Sequence, residues 1–149
     1  MNQKLERGMQ VFISHATADL EVVRQLSQAL QAAGFQVWNP ADAILPGDNW
    51  ALATGKALEQ SEVLIAILSR NAANSPWVQQ EVQYALTSGS YRGRVIPVLL
   101  DIATFEADKD VPWLLLRMNP VYLQSGSLDL GQVVARVKDA AETGSHASA

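Results

Sequence analysis

The chain reads as an α/β fold, a parallel sheet sandwiched between two layers of helices, and three observations predict it. Short β-rich runs and helical stretches alternate five times along 149 residues, the order that yields a parallel sheet with right-handed crossovers. Two of those runs, residues 63–68 and 95–100, are apolar throughout, as strands are when helices bury both of their faces. At this length one core forms comfortably and two do not.

Residues 10–14 (Gln-Val-Phe-Ile-Ser) form the first β-rich run, followed by Leu20, Val23, Leu26 and Leu30 at helical spacing. Gly34 ends that helix, and residues 35–38 read as the second strand. Residues 39–48 (Asn-Pro-Ala-Asp-Ala-Ile-Leu-Pro-Gly-Asp) have the composition of a long loop. Asp48 is the expected cap of the next helix, residues 49–60, which carries Gly55. The strand at 63–68 leads into a helix over 76–88, with Ser75 as its cap and Pro76 at the first helical position, where a missing N–H costs nothing. Gly89 and Gly93 bracket a turn. The strand at 95–100 contains Pro97, which an edge position would accommodate. A loop at 101–110 follows, then an apolar segment at 111–117 that fits either a short helix or packed loop. Residues 121–123 are the last strand. The closing helix, 128–141, places Leu130, Val133, Val134, Val137 and Ala141 on one side. The organisation expected is an N-terminal extension over 1–8, one domain over 9–141 and a mobile tail over 142–149.

Alternation alone does not give strand order. A flavodoxin-like order of 2-1-3-4-5 is the expectation, and it sets the topological switch point between the first and third strands, where open α/β sheets bind ligands. His15, residues 69–74, Trp77 and Glu81 then surround one crevice. Glu81 follows Trp77 by four positions, so an aromatic plane and a carboxylate project together from one helix.

Composition narrows the functions. The net charge is −4, and Lys and Arg are scattered, which argues against direct nucleic-acid binding. There is no cysteine, and the histidines are His15 and His146 alone, so disulfides, thiolate chemistry and a zinc site are not expected. The first residues lack the apolar core of a secretion signal, and no apolar run approaches the ~20 residues a membrane span needs. The expected setting is a soluble protein of the cytoplasm. Asp101, Glu106, Asp108 and Asp110 read as a solvated loop rather than a metal site. Trp38, Trp50 and Trp113 read as core or interface aromatics.

Taken in order, several short motifs resemble those of a bacterial Toll/interleukin-1 receptor (TIR) domain. They are Val11-Phe12-Ile13-Ser14-His15, Gly34-Phe35-Gln36-Val37-Trp38, Ile44-Leu45-Pro46-Gly47-Asp48, the run from Ser61 to Ser69, Ser75-Pro76-Trp77 through Glu81, and Val95-Ile96-Pro97-Val98. Each alone is weak, while order and spacing together are specific, and the resemblance covers about residues 9–141. It implies the flavodoxin-like sheet and one of two activities, since many members hydrolyse or cyclise NAD⁺ and others are scaffolds without catalysis. By motif position the glutamate required in the catalytic members is Glu81. The resemblance further implies substrate contacts from Ser14, His15, Ala16, Asp42, Pro46, Gly47, Ser69, Asn74 and Trp77, with NAD⁺ as substrate and no separate cofactor or metal. It also implies self-association through the loop at 39–48, and a place in a system such as bacterial antiphage defence, innate immunity or host-directed virulence. One departure is His15, where the family motif often has an aromatic residue. An imidazole can still stack on nicotinamide or adenine.

The chemistry needs one carboxylate rather than two. Cleaving the ribose–nicotinamide bond releases a neutral leaving group from a pyridinium, whereas ordinary glycosidases require a second carboxyl group to protonate a leaving oxygen. A glutamate ionised near its usual pKa of about 4.3 stabilises an oxocarbenium-like transition state electrostatically. Attack by water gives ADP-ribose, and attack by an adenine nitrogen gives a cyclic isomer. Without the family position Glu81 would pass as a solvated helix carboxylate, and Trp77 as an aromatic packed on the sheet. A phosphorelay receiver would need an acidic pair after the first strand and an aspartate ending the third, where this chain has Ser14-His15 and Ser69. A flavin carrier would need a hydroxyl-rich phosphate loop. A nucleoside-processing transferase on the same sheet remains an alternative, as does a non-catalytic assembly module.

Overall fold

The structure, a computed structural model, describes residues 9–38 and 49–147. Five parallel strands form one sheet: β1 (Gln10–Ser14), β2 (Gln36–Trp38), β3 (Val63–Leu68), β4 (Val95–Leu100) and β5 (Val121–Leu123), in the order β2-β1-β3-β4-β5. This is the flavodoxin-like order expected, with the switch point between β1 and β3. The helices are α1 (Leu20–Ala32), α2 (Trp50–Gln60), α3 (Pro76–Thr87), the one-turn α4 (Ala107–Asp110) and α5 (Trp113–Leu116), and α6 (Leu130–Ala147).

Strand alternation divides the core into two layers. Val11, Ile13, Val63, Ile65, Ile67, Ile96, Val98 and Leu100 face α1 and α6, meeting Val23, Leu26, Leu30, Val133 and Val137. Phe12, Leu64, Ala66, Leu68, Val95 and Leu99 face the other way, against Ala57 and Leu58 of α2 and Val78, Val82 and Ala85 of α3. Every residue of β3 and β4 is buried, which is why both segments are apolar without a period. Trp38 stacks on Phe12 with centroids 5.2 Å apart and extends the second layer.

Local chemistry sets the ends of the helices. After α1, the Gly34 N–H donates to the Gln31 carbonyl and the Phe35 N–H to the Leu30 carbonyl. That pair of bonds turns the chain back toward the sheet through a left-handed residue, and Gly34 supplies it at φ +97°. Helix α2 is capped by Asn49, whose side chain accepts the Leu52 N–H at 3.0 Å. This corrects the assignment of the cap to Asp48, because the helix begins one residue later than its composition indicates. Helix α6 starts at Leu130 and continues to Ala147, past the expected end at Ala141.

Pro97 is a second correction. Strand β4 is interior, between β3 and β5, not an edge. The Arg94 carbonyl accepts from Leu64 N–H on the β3 side, and successive residues turn their backbone groups to opposite neighbours. Pro97 therefore faces β5, which pairs with β4 only from Val98 onward. Its missing N–H falls where no partner strand stands, so no ladder bond is lost.

The 101–110 segment is mostly exposed, as expected of a solvated loop, and also carries regular turns. It holds a 3₁₀ turn (Ile102–Thr104) and α4, and the Asp101 carboxylate accepts both the Ser125 N–H at 2.8 Å and the Ser125 hydroxyl at 2.7 Å. Among the described residues, no helix is long and apolar enough to cross a membrane.

Candidate active site

Glu81 enters the site through the packing of α3. Ser75 caps the helix by accepting the Val78 N–H, with Pro76 in the first turn, and Val78, Val82 and Ala85 then point into the sheet. Glu81 shares that inward stripe and is only 6% exposed. Beneath it lies the last residue of β1. By alternation Ser14 belongs to the face that carries Phe12, and its Oγ donates to Glu81 Oε1 at 2.6 Å. Among the described residues this is the one hydrogen bond Glu81 makes.

A carboxylate taken out of water is held toward its neutral form. Burial pushes Glu81 up to about 7, with the Ser14 hydroxyl pulling the other way. This corrects the picture of a glutamate titrating at an ordinary value, since at neutral pH the group is poised between its two forms. Replacing Ser14 with alanine removes the opposing pull, so the Glu81 midpoint in Ser14→Ala is expected above that of the unaltered chain. Carbon-13 NMR of labelled glutamate side chains measures it, and a midpoint at or below the wild-type value would show that the hydroxyl does not stabilise the carboxylate.

The remaining predicted residues are placed unevenly. Trp77 lies on α3 one turn before Glu81 but is 46% exposed, so the helix carries both without burying both. His15 and Ala16 follow β1: His15 Nδ1 donates to the Ala16 carbonyl at 2.9 Å, and its Nε2 is buried with no hydrogen-bond partner. Ser69, immediately after β3, is buried, and its hydroxyl is committed within the protein, donating to Asp19 at 2.5 Å and accepting from the Ala72 N–H at 3.1 Å. Asn74 ends a 3₁₀ turn (Ala72–Asn74) leading into α3. Asp42, Pro46 and Gly47 fall outside the described residues, as do the rest of the loop at 39–48 and the N-terminal extension at 1–8. The structure thus brings Ser14, His15, Ala16, Ser69 and Asn74 to the carboxyl ends of β1 and β3, with Glu81 overhead on α3.

Two neighbours escaped the sequence reading. Asp19 is buried beside Ser69, although its position before Leu20 signals nothing beyond a helix cap. Tyr91 is fully buried under α3, its hydroxyl donating to the Leu58 carbonyl at 2.7 Å, and a tyrosine in a polar turn between two glycines gives no hint of that depth.

One buried carboxyl group held by a hydroxyl at the switch point is suited to binding ribose hydroxyls or stabilising a cation formed beside it. The family model described as TIR domain matches residues 11–132. The NAD(+) hydrolase PdTIR of Paracoccus denitrificans is 35% identical over 91 residues, which are 59% of this chain and 30% of that protein. A probable 2' cyclic ADP-D-ribose synthase, TcpO of Methanobrevibacter olleyae, is 25% identical over 100 residues, 66% of this chain and 29% of that protein. The chain therefore spans under a third of the length of these relatives. Among solved structures, a metazoan TIR-STING receptor from C. gigas in complex with 2',3'-cGAMP superposes with a TM-score of 0.70 over 85% of this chain and 38% of its own, at 21% identity. At that identity the likeness concerns the fold.

Proposed function

The chain belongs to the TIR domain family, and from that premise we propose that it cleaves the nicotinamide–ribose bond of NAD⁺ with Glu81 as the catalytic carboxylate. The observation that carries this reading is the Ser14–Glu81 pair, a nearly inaccessible carboxyl group with a 2.6 Å hydroxyl contact, set at the switch point of the sheet. Two relatives whose names state NAD(+) hydrolysis and cyclic ADP-ribose synthesis support it.

In this mechanism NAD⁺ places its nicotinamide-bearing ribose against Glu81. As the C1′–N bond breaks, nicotinamide leaves with the bonding pair as a neutral base, and positive charge develops on the ribose ring. Ionised Glu81 stabilises that charge in a site shielded from water, where a charge acts more strongly than in bulk solvent. Ser14 fixes the carboxylate and favours its ionised form. Trp77 flanks the sugar on the solvent side, and His15 offers an imidazole to one of the two bases. Water adding at C1′ and losing a proton gives ADP-ribose; an adenine or adenosine-ribose nucleophile of the same molecule gives a cyclic isomer. Copies associate through the loop at 39–48.

The test is chromatography of NAD⁺ incubated with purified protein over a range of protein concentrations. Nicotinamide appears in equal amount to ADP-ribose or its cyclic isomer, and the rate rises faster than linearly with concentration. Absence of nicotinamide release under every assembling condition would leave the scaffold reading in its place.

A further inference from the structure

Asp19 occupies the N-cap position of α1 but makes no capping bond with its side chain. An aspartate there ordinarily accepts a first-turn N–H. Asp19 instead turns inward, 6% exposed, and spends both oxygens on the loop after β3. Oδ2 accepts the Ser69 hydroxyl at 2.5 Å and Oδ1 accepts the Asn71 side-chain amide at 3.0 Å. The same Ser69 hydroxyl accepts the Ala72 N–H, while the Ser69 carbonyl accepts from Ala72 and Ala73. On its other side, the Asp19 N–H donates to the Ala16 carbonyl, the atom that also receives His15 Nδ1.

These bonds join two segments 50 residues apart in sequence. One leaves β1 directly after Ser14. The other leaves β3, passes through the 3₁₀ turn to the Ser75 cap, and begins the helix that carries Glu81. The two sides of the Ser14–Glu81 contact are therefore tied together a second time, outside the contact itself. A buried carboxylate with two donors and no capping role has its geometry fixed by those donors.

We propose that Asp19 is a positioning residue, whose carboxylate clamps the loop after β1 to the loop after β3 and so sets the distance between Ser14 and Glu81. Its consequence for turnover rests on the NAD⁺-cleaving function proposed above; its consequence for Glu81 does not. With the clamp loosened, water reaches the carboxyl group and the desolvation that raises its midpoint weakens, and this larger effect outweighs any weakening of the opposing Ser14 bond. Tyr91, a titratable group that feels the Glu81 charge, is itself held far above this range by burial and does not confuse the reading.

The experiment compares the unaltered chain with Asp19→Asn, which keeps the size but presents an amide to two donors, and Ser69→Ala, which removes the hydroxyl's bonds to Asp19 and the Ala72 N–H and leaves the Asn71 bond to Asp19. Glutamate carbon-13 NMR follows the Glu81 midpoint without any turnover. It is expected to fall by about one unit in Asp19→Asn and by roughly half that in Ser69→Ala. The acid limb of kcat/KM moves to lower pH by the same amounts, and kcat in Asp19→Asn drops about tenfold or more with a smaller change in KM. A clamp that only supports the fold would lower the melting temperature and leave the midpoint in place. An unmoved midpoint in folded Ser69→Ala overturns the proposal even if Asp19→Asn fails to fold. If no variant turns over NAD⁺ but the midpoint shifts, the clamp stands and the enzymatic reading fails.

Discussion

Glu81→Gln is expected to reduce NAD⁺ turnover by at least about a thousandfold and, at pH 8, to make the protein more stable. The kinetic loss follows from replacing a charge that meets a developing cation with a neutral amide of the same shape; removing such a preorganised group costs on the order of 4 kcal/mol of transition-state stabilisation. The gain in stability follows from the same burial. Holding an ionised carboxylate where its midpoint lies at about 7 instead of 4.5 costs about 3 kcal/mol once the group is fully charged. Glutamine escapes that cost but leaves an amide N–H group short of an acceptor, a penalty of about 1 kcal/mol. The net expectation is about 2 kcal/mol, or a rise in Tm of roughly 4–8 °C at this chain length. Thermal unfolding beside a nicotinamide-release assay measures both. A variant that loses activity and stability together would place Glu81 in a structural role.

Activity and stability should also run in opposite directions with pH. In the proposed reaction the ionised form is the one that acts, so kcat/KM is expected to rise with pH through about 7 and to be about a hundredfold lower at pH 5 than at pH 8. Binding a substrate with a positively charged pyridinium favours the carboxylate, so the acid limb of kcat lies below that of kcat/KM. Stability behaves conversely. Because the midpoint of Glu81 is higher in the folded chain than in the unfolded one, the folded state binds more protons between the two midpoints. Its contribution is fully present below about 4.5, declines as pH rises, and levels off above about 7. Between pH 5 and pH 8 this group alone removes about 2.5 kcal/mol. Denaturant titrations of the unaltered chain and Glu81→Gln isolate the effect as the difference between two pH slopes. Parallel slopes would mean that the carboxyl group is hydrated after all.

Much of the architecture could be read from the residues because its signals are local. The runs at 10–14, 63–68, 95–100 and 121–123 became strands with the bounds expected, since each is a block of β-favouring or apolar residues between polar turns. Gly34 closed α1 because a left-handed turn there favours a residue without Cβ. Misplaced boundaries were those settled by one hydrogen bond among several capable residues, as when Asn49 rather than Asp48 capped α2. Pro97 was misread because its tolerance depends on how far a neighbouring strand extends, which β4 itself does not encode. The candidate site was legible only as a proposal, through the motif around Ser75 to Glu81 and through Ser14. Asp19 was not, since a capping residue and a cross-loop clamp have the same appearance in one dimension.

The sequence by itself determined the alternation of strands and helices, the family, and the glutamate on which the proposed reaction turns, because periodicity, end signals and motif spacing act over a few residues at a time. Only the tertiary structure decided the state of that glutamate. Its midpoint depends on how much water the sheet and α3 exclude and on a serine 67 positions away that reaches it. These are properties of how distant segments pack, and no window along the chain contains them.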